Sequence, residues 1–313
     1  METIIHPINS LLIINELTSE KLLCVSQRGN NELYIVSGYN SPNVMREIGR
    51  LREIAFRSWG GGTGKSVDID DFDLIPGLYK QLIVWDPEEK AILGGYRFAI
   101  GRQIPFDNNG APLLASASLF NFSEEFNRNI LPYTCELGRS FVRCECQSTV
   151  SGRKNLFVLD NLWDGILTLT VHYPEIKYFF GKVTMYKHYN VFARNLILYF
   201  LRKIFVFSED LVKAKYPAPL NLDILQIDGL FGAENFRENF KELNKEVRKL
   251  GINIPPMFNA YMNLTTQMQV FETAFNEEFG QVEETAILIN IDEIAEEKKS
   301  RHFSNINQEK IAV

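Results

Sequence analysis

Apolar side chains recur at helical spacing between residues 41 and 59. Val44, Ile48, Leu51, Ala55 and Trp59 share one stripe, with arginine and glutamate between them. This is the pattern of an amphipathic helix. Ser41 stands at its N-cap and Pro42 at the first helical position, where a missing N–H costs nothing. Two apolar runs, 80–86 and 91–101, flank the turn sequence PEEK and predict a hairpin. Residues 113–122 read as a weaker strand or an irregular stretch, and 135–143 as a strand. A long apolar segment, 155–173, stops before Pro174 and predicts a buried helix; 177–186 follows as a strand and 191–205 as another helix. In 233–251, Phe236, Phe240, Leu243, Val247 and Leu250 form a stripe, and Gly251 sits where a C-terminal cap belongs. Residues 285–291 complete the ordered part as a strand, and the last twenty or so are charged, a fraying tail. The order predicts an α/β fold, with helices on a largely antiparallel sheet. Neither a repeat nor a linker interrupts it. The expectation is one domain over 1–291, with a C-terminal extension from about 207 and a charged tail over 292–313.

Composition narrows the class. A chain of 313 residues that is 45% hydrophobic and 23% charged is an ordinary globular protein. A net charge of -6 argues against general nucleic-acid binding. No apolar run approaches the ~20 residues of a membrane-spanning helix. The short LLII run at 11–14 has no basic region before it, so no signal peptide is expected. Four cysteines make no disulfide framework, and Cys144-Glu-Cys146 lacks the second ligand pair of a zinc site. Strand spacing would turn both thiols to one side of a sheet. The expected compartment is the cytoplasm, with peripheral contact at the inner membrane surface.

The segment WGGGTGKS, 59–66, looks like a phosphate-cradling loop. Its spacing does not fit, because the residue five before Gly64 is Trp59, where a P-loop needs glycine. The context fails too, since a helix precedes the loop and the acidic run DIDDFD follows it. The glycines read as a flexible connection between the two. The acidic run also lacks the spacing and bidentate glutamate of a calcium loop, so no metal is expected.

Charged residues set in apolar surroundings remain: Arg52, Asp70, Asp73, Arg97, Glu136 and Arg139, with Phe56 and Trp59 beside them. Buried charges persist only when paired or hydrogen-bonded. These arginines and carboxylates can satisfy one another as one network, which would also serve simply to pin the glycine loop to the sheet.

The order of motifs is specific. Arg52-x-x-x-Phe56-x-x-Trp59, then DIDDFD, then Gly94-Gly95-Tyr96-Arg97, then Glu136-Leu137-Gly138-Arg139-Ser140 resembles the signature of the acyl-homoserine-lactone synthases and their relatives. Those relatives are the GNAT-type N-acyltransferases of ornithine and glycine lipid synthesis, often labelled hemolysin-like. The second group fits better. Its pattern continues in Leu162-Trp163-Asp164-Gly165, in the strand Phe179–Thr184 and in the Ile254–Tyr261 block, so the resemblance spans roughly 45–291. The homoserine-lactone synthases lack that last block.

The resemblance implies a GNAT-like acyltransferase. The donor would be an acyl thioester, a 3-hydroxyacyl chain on the phosphopantetheine of acyl carrier protein or on coenzyme A, with no permanently bound cofactor. The acceptor would be the amine of an amino acid such as glycine or ornithine, and the product an aminolipid precursor. Glu136, beside Arg139, is the candidate base or orienter of the amine. N–H groups near Phe141 and Val142 are candidates for the oxyanion. Arg52, Arg97 and Arg139 offer bidentate grips for the acceptor carboxylate, with Asp70 and Asp73 holding those arginines. Phe56 and Trp59 would line an acyl pocket or pack in the core. The family's pyrophosphate loop is imperfect here: residues 147–155 supply Gln147, Gly152, Arg153 and Lys154 but one glycine. Such a loop suits a phosphopantetheine, with its single phosphate, better than a whole coenzyme A. Arg143, Arg153 and Lys154, with Lys182, Lys187 and Arg194, are the candidate basic surface for acidic acyl carrier protein. Tyr186 and Tyr189 are candidates to protonate the leaving thiolate. Two other functions remain open at this point: a signal synthase making acyl-homoserine lactones, and a non-catalytic carrier-binding protein.

Overall fold

The computed structural model describes residues 1–26, 28–147, 157–222, 227 and 229–303. Gly152, Arg153 and Lys154 therefore lie outside the described residues. Contacts within the chain group it into two compact units. The first comprises Met1–Pro105, Leu131–Lys177 and the residues from Glu296 on; the second comprises Phe106–Ile130 and Tyr178–Ala295.

In the first unit, α1 (Ser10–Glu16) leads to β1 (Leu22–Val25), β2 (Glu32–Val36), α2 (Pro42–Arg57), the single turn α3 (Asp71–Leu74), β3 (Lys80–Asp86) and β4 (Ala91–Ile100). The short strand β5 (Phe120–Phe122) belongs to the second unit; β6 (Thr134–Val142) and α4 (Val158–His172) complete the first. Strands β1, β2, β3, β4 and β6 lie side by side in that order, each antiparallel to the next. The β3–β4 turn is fastened by the Asp86 carboxylate, which accepts from the N–H groups of Glu88 and Glu89 at 2.8 and 3.1 Å.

Helix α2 starts at Pro42, as its sequence predicts, but Ser41 does not cap it with its hydroxyl. Glu16, at the end of α1, reaches across instead. Its carboxylate accepts from the N–H groups of Asn43 and Val44 at 3.1 and 2.9 Å. A negative charge there satisfies orphan donors and suits the helix dipole.

Two helices cover opposite faces of this sheet. Gln81 bonds to Arg52 of α2, whereas the next residue, Leu82, packs against Gly165 of α4. Successive strand residues point to opposite faces. Helix α4 lies so close that a Cβ on Gly165 would sit 2.6 Å from Leu33 Cδ2 and 2.8 Å from Leu82 Cδ2. Leu33, Leu82, Leu162 and Ile166 are fully buried there.

In the second unit, β7 (Tyr178–Met185) precedes α5 (Val191–Ile204), β8 (Val206–Phe207) and β9 (Val212–Ala214). Helices α6 (Phe236–Lys249) and α7 (Pro256–Met262) and the hairpin β10 (Gln269–Asn276)–β11 (Val282–Asn290) follow. The strand order is β7-β11-β10-β8, antiparallel except for the last pair; β5 pairs with β9. Packing is aromatic. Phe180 meets Phe122 and Phe126 at ring separations of 5.5 Å, and Phe200 meets Phe231 at 5.0 Å. The predicted stripe of α6 is buried through Leu243 and Val247. Gly251 follows its C-terminus at φ +73°, a conformation that a Cβ disfavours.

Several elements depart from the sequence reading. Residues 113–122 form a 3-10 turn, Ala115–Ser118, and the short β5. Cys144–Cys146 is a 3-10 turn, not strand, and its thiols are free. Within the expected tail, the described residues include a further helix, α8 (Glu296–Phe303), which packs on α4. Among the described residues, no helix is long and apolar enough to cross a membrane.

Candidate active site

The glycine loop already holds an anion, and it is a carboxylate of the chain itself. Glu53 of α2 is fully buried. Its Oε1 accepts from Gly64 N–H and Arg57 Nε, both at 2.7 Å. Its Oε2 accepts from the N–H and hydroxyl of Thr63 at 3.0 and 2.8 Å. Gly60, Gly62 and Gly64 take positive φ of 83°, 94° and 75°, which lets the chain curl around the carboxylate. Burial pushes the Glu53 carboxyl up, but the bonds from Arg57, Thr63 and Gly64 outweigh it and hold the group below its usual range. The place where a phosphate-binding loop would take phosphate is filled.

The preceding residue of α2, Arg52, is wholly buried. Its Nη1 lies 3.2 and 3.3 Å from the two oxygens of Asp73, and its Nη2 donates to Gln81 Oε1. Gln81 in turn donates to Asp73 Oδ1 at 2.9 Å. Arg97 Nη1 reaches Asp70 Oδ1 at 2.6 Å and Asp73 Oδ1 at 3.3 Å. Asp70 and Asp73 also cap α3 reciprocally, each accepting from the other's N–H at 3.2 Å. Arg139 Nη2 lies 3.4 Å from Asp68 and 3.6 Å from Asp70. Three arginines and three aspartates thus form one electroneutral cluster, the condition under which buried charge is tolerated. Burial pushes Asp73 up, but Arg52 and Arg97 outweigh it and hold the carboxyl at about 2. Arg97 is correspondingly raised against its burial by Asp73 and Asp70. Asp68 differs: burial raises it despite the arginines. Both its oxygens lack a hydrogen bond, so Arg139, with Arg52 and Arg97 behind it, holds it by charge alone.

Strand pairing brings the remaining groups onto the same face. Gln81 of β3 stands opposite Arg97 of β4, and Ala99 of β4 opposite Glu136 of β6. The Arg97 guanidinium lies over the Tyr79 ring at 5.0 Å. Tyr79 donates its hydroxyl to Glu136 Oε2 in a short hydrogen bond, with both residues buried. Between Glu136 and Phe141 the β4–β6 register slips, and Arg139 takes a left-handed φ of 48°. Bulged strands bend and re-aim their side chains; here the bulge turns Arg139 toward Asp68 and Asp70. Its side chain is 19% exposed, against 0% for Arg52 and 5% for Arg97. Arg139 is therefore the arginine of the cluster most open to a ligand, whereas Arg52 is committed to the framework.

Beyond the bulge, Phe141 and Val142 pair with Gly95 and Gly94. The Val142 carbonyl accepts from Gln147 Nε2 at 2.7 Å, and Gln147 Oε1 accepts from the Trp59 indole at 3.1 Å. Trp59, half-exposed, is tied in this way to the end of β6, while Phe56 is buried. Arg143 pairs with Glu145 at 3.0 Å. In the second unit, burial raises Tyr186 and Tyr189 to about 12, so both stay protonated at neutral pH; Tyr189 donates to the Asn253 carbonyl at 2.8 Å. Lys182, Lys187 and Arg194 bond to Glu284, Gln281 and Glu283. Among the described residues, no group of histidine, cysteine, aspartate and glutamate has the geometry to hold a metal ion.

Sequence reasoning did not single out Glu53, Asp68, Tyr79 or Gln81. Gln81 carried a readable signal, being a polar residue inside the apolar run of β3. Glu53 and Tyr79 carried none, because their partners come from the loop and from β6.

Comparison with known proteins fits this arrangement. Residues 51–152, which hold the whole arginine–aspartate cluster and Glu136, match the family described as Acetyltransferase (GNAT) domain. The fold and the match define an acyltransferase of the GNAT class. Over 305 residues, 97% of this chain and 94% of the relative, the sequence is 52% identical to a glycine N(alpha)-acyltransferase of Phocaeicola vulgatus. Over 303 residues, 97% of this chain and 90% of the relative, it is 54% identical to one of Bacteroides thetaiotaomicron. The chain belongs to the glycine N(alpha)-acyltransferase family. Among solved structures, FeeM, an N-acyl amino acid synthase from uncultured soil microbes, is similar with a TM-score of 0.42 and 10% identity, over 84% of this chain and 93% of that one. That likeness is too distant to carry an argument.

Proposed function

We propose that this enzyme N-acylates glycine, taking a 3-hydroxyacyl chain from the phosphopantetheine thioester of acyl carrier protein. The family supports the acceptor, since both relatives are named for glycine. The observation that carries the chemistry is Glu136, a buried carboxylate fixed by Tyr79 beside the arginine–aspartate cluster.

Glycine's ammonium must lose a proton before its nitrogen can attack. Glu136 takes that proton, directly or through a water it orients. The nitrogen lone pair forms the new C–N bond at the thioester carbon, and the carbonyl becomes an oxyanion, met by N–H groups of β6 near Phe141 and Val142. The oxyanion collapses, the C–S bond breaks, and the second proton of the attacking nitrogen passes to the leaving pantetheine thiolate. Arg139 grips the glycine carboxylate, while Arg52 and Arg97 keep Asp73 and Asp70 in place behind it. The product is an N-acylglycine, amphiphilic by construction. Its release suits a membrane surface on the cytoplasmic side, and α1 exposes Leu11, Leu12 and Ile14 for such contact.

The test incubates the purified enzyme with acyl carrier thioester or acyl coenzyme A and a panel of amino acids, and reads products by mass. N-acylglycine formed preferentially from the carrier thioester is the expected result. Preference for another acceptor, or equal use of coenzyme A, would overturn the corresponding half of the proposal. Sedimentation with anionic vesicles tests the surface contact, which Leu11→Ser/Leu12→Ser should weaken; unchanged sedimentation would remove α1 from it.

A further inference from the structure

Glycine weakens a strand, because it loses more freedom on folding and offers nothing to pack. In β4 the packing demands it. A Cβ on Gly94 would lie 2.8 Å from the Phe141 carbonyl oxygen, and one on Gly95 2.9 Å from that of Leu82. Gly138 of β6 is different. A Cβ built there meets no atom of the described residues within 4 Å, its chain neighbours apart. Gly138 also lies outside the left-handed region of φ. Neither packing nor backbone geometry calls for glycine at this position. A strand glycine without such a reason marks a place where a ligand comes close to the backbone.

Strand pairing shows what surrounds the vacant position. Gly138 stands opposite Arg97, as Glu136 stands opposite Ala99. Opposed residues share a face, and so do residues two apart. Glu136, Gly138 and Arg97 therefore stand on the face that α2 covers. Between Arg97 and Gly95 the ladder sets Tyr96 alone against both Arg139 and Ser140. That extra residue lets Arg139 turn to the same face, where it reaches Asp68 and Asp70. The gap over Gly138 thus has Glu136 on one side, Arg139 on the other, and Arg97, bonded to Asp70, behind it. Gly138 and Arg139 are half-buried, so water reaches the gap.

An α-amino acid carries its ammonium and its carboxylate on one carbon. Two protein groups hold both ends only by converging on that carbon, so no side chain can stand between them. Glu136 and Arg139 are opposite in charge, and their backbones are about 10 Å apart at 3.2–3.4 Å per strand residue. The position between them on their shared face is the vacant one. We infer that Gly138 is the floor of the acceptor site: the α-carbon of the acceptor rests on it, with the ammonium toward Glu136 and the carboxylate toward Arg139. This rests on the roles proposed above for those two residues. What it adds is a residue that sets how closely the acceptor approaches them, and a reason for glycine within β6. A methyl group at 138 would stand where the acceptor's α-carbon belongs.

The test is steady-state kinetics of Gly138→Ala in the whole protein, beside its thermal melt. Glycine is varied at saturating acyl thioester, then the thioester at saturating glycine. The added methyl group meets no protein atom and removes freedom from the unfolded chain, so the variant should melt no lower than wild type. Its kcat/KM for glycine should fall about tenfold or more, while KM for the thioester stays within about twofold. An unchanged kcat/KM for glycine, or a loss that falls on the thioester instead, would overturn the floor. A lowered melting temperature would show that the position is not vacant and would overturn it too. Products from a panel of amino acids, read by mass, separate this inference from the reaction itself. N-acylglycine made equally well by wild type and variant sinks only the floor. Another acceptor used in place of glycine, with its kcat/KM lowered in the variant, sinks only the glycine assignment. No N-acyl product from the wild type overturns both.

Discussion

Glu53→Gln is the sharpest test of the reading that the glycine loop is folded around an internal anion. The carboxylate accepts two bonds on each oxygen. An amide in the same place turns one of those oxygens into a donor, so two bonds break if it replaces Oε1, and the Thr63 N–H bond breaks if it replaces Oε2, where the Thr63 hydroxyl can turn to accept. Bonds to a charged group are worth about 1.5–3 kcal/mol each, and buried donors left unmet add their own desolvation cost. Allowing for water reaching the loop side, the expected loss is about 3–5 kcal/mol. For a folding unit of this size each kcal/mol moves the midpoint by roughly 2–4 °C, so a fall of about 10 °C is expected. Scanning calorimetry reads it, and limited proteolysis should show new cleavage between residues 60 and 66. The pH dependence is a second arm. The folded carboxyl is held below its ordinary value of 4.5. Its contribution is therefore fully present above that pH and is lost as pH falls through the folded value. Glutamine does not titrate, so the gap between wild type and variant should close in acid. A gap below about 1 kcal/mol at neutral pH, or one of constant size down to pH 3, would refute the internal-anion reading.

Other expectations follow from the same geometry. Glu136→Gln should lower turnover about 10²-fold or more with the fold intact, and Tyr79→Phe should shift the pH profile of kcat; normal turnover in Glu136→Gln removes it from the chemistry. Arg52→Met leaves Asp73 without its main partner and should cost about 3–5 kcal/mol of stability; an unchanged melting temperature would contradict the cluster. With Asp73 held at about 2 against an ordinary 3.8, its part of the stability is present above 3.8 and lost as pH falls toward 2, a loss that Asp73→Asn should abolish in acid titration. Lys65→Ala should leave acyl transfer unchanged, and neither protein should bind ATP with magnesium; ATP binding lost on that change would restore the nucleotide reading. Gly165→Ala drives a Cβ against Leu33 and Leu82 and should cost about 1–3 kcal/mol by overpacking, read as a lowered melting temperature.

Much of this protein was determined by sequence alone, wherever the information is local. The period of Val44, Ile48, Leu51 and Ala55 gave α2, the Phe236–Val247 stripe gave α6, and apolar runs gave β3, β4, β6, β7 and β11. The amphipathic period and the apolar run reflect burial that each element meets largely by itself. The glycine spacing and its flanking segments argued against a P-loop, and the order of short motifs pointed to the acyltransferase class. Elements lacking such a signal were missed. Short β1 and β2, and β10, are fixed by the ladders they join, and α8 is charged and is held by α4. What the tertiary structure decided is who partners whom. Whether an arginine grips substrate or braces a scaffold depends on burial, and only the fold shows Arg52 sealed against Asp73 and Gln81 while Arg139, re-aimed by its bulge, stays partly open. The sequence likewise could not say that Glu53 occupies the glycine loop or that Tyr79 holds Glu136, because hydrogen bonds are set by distances of about 3 Å, and chain separation of tens of residues leaves no trace of them.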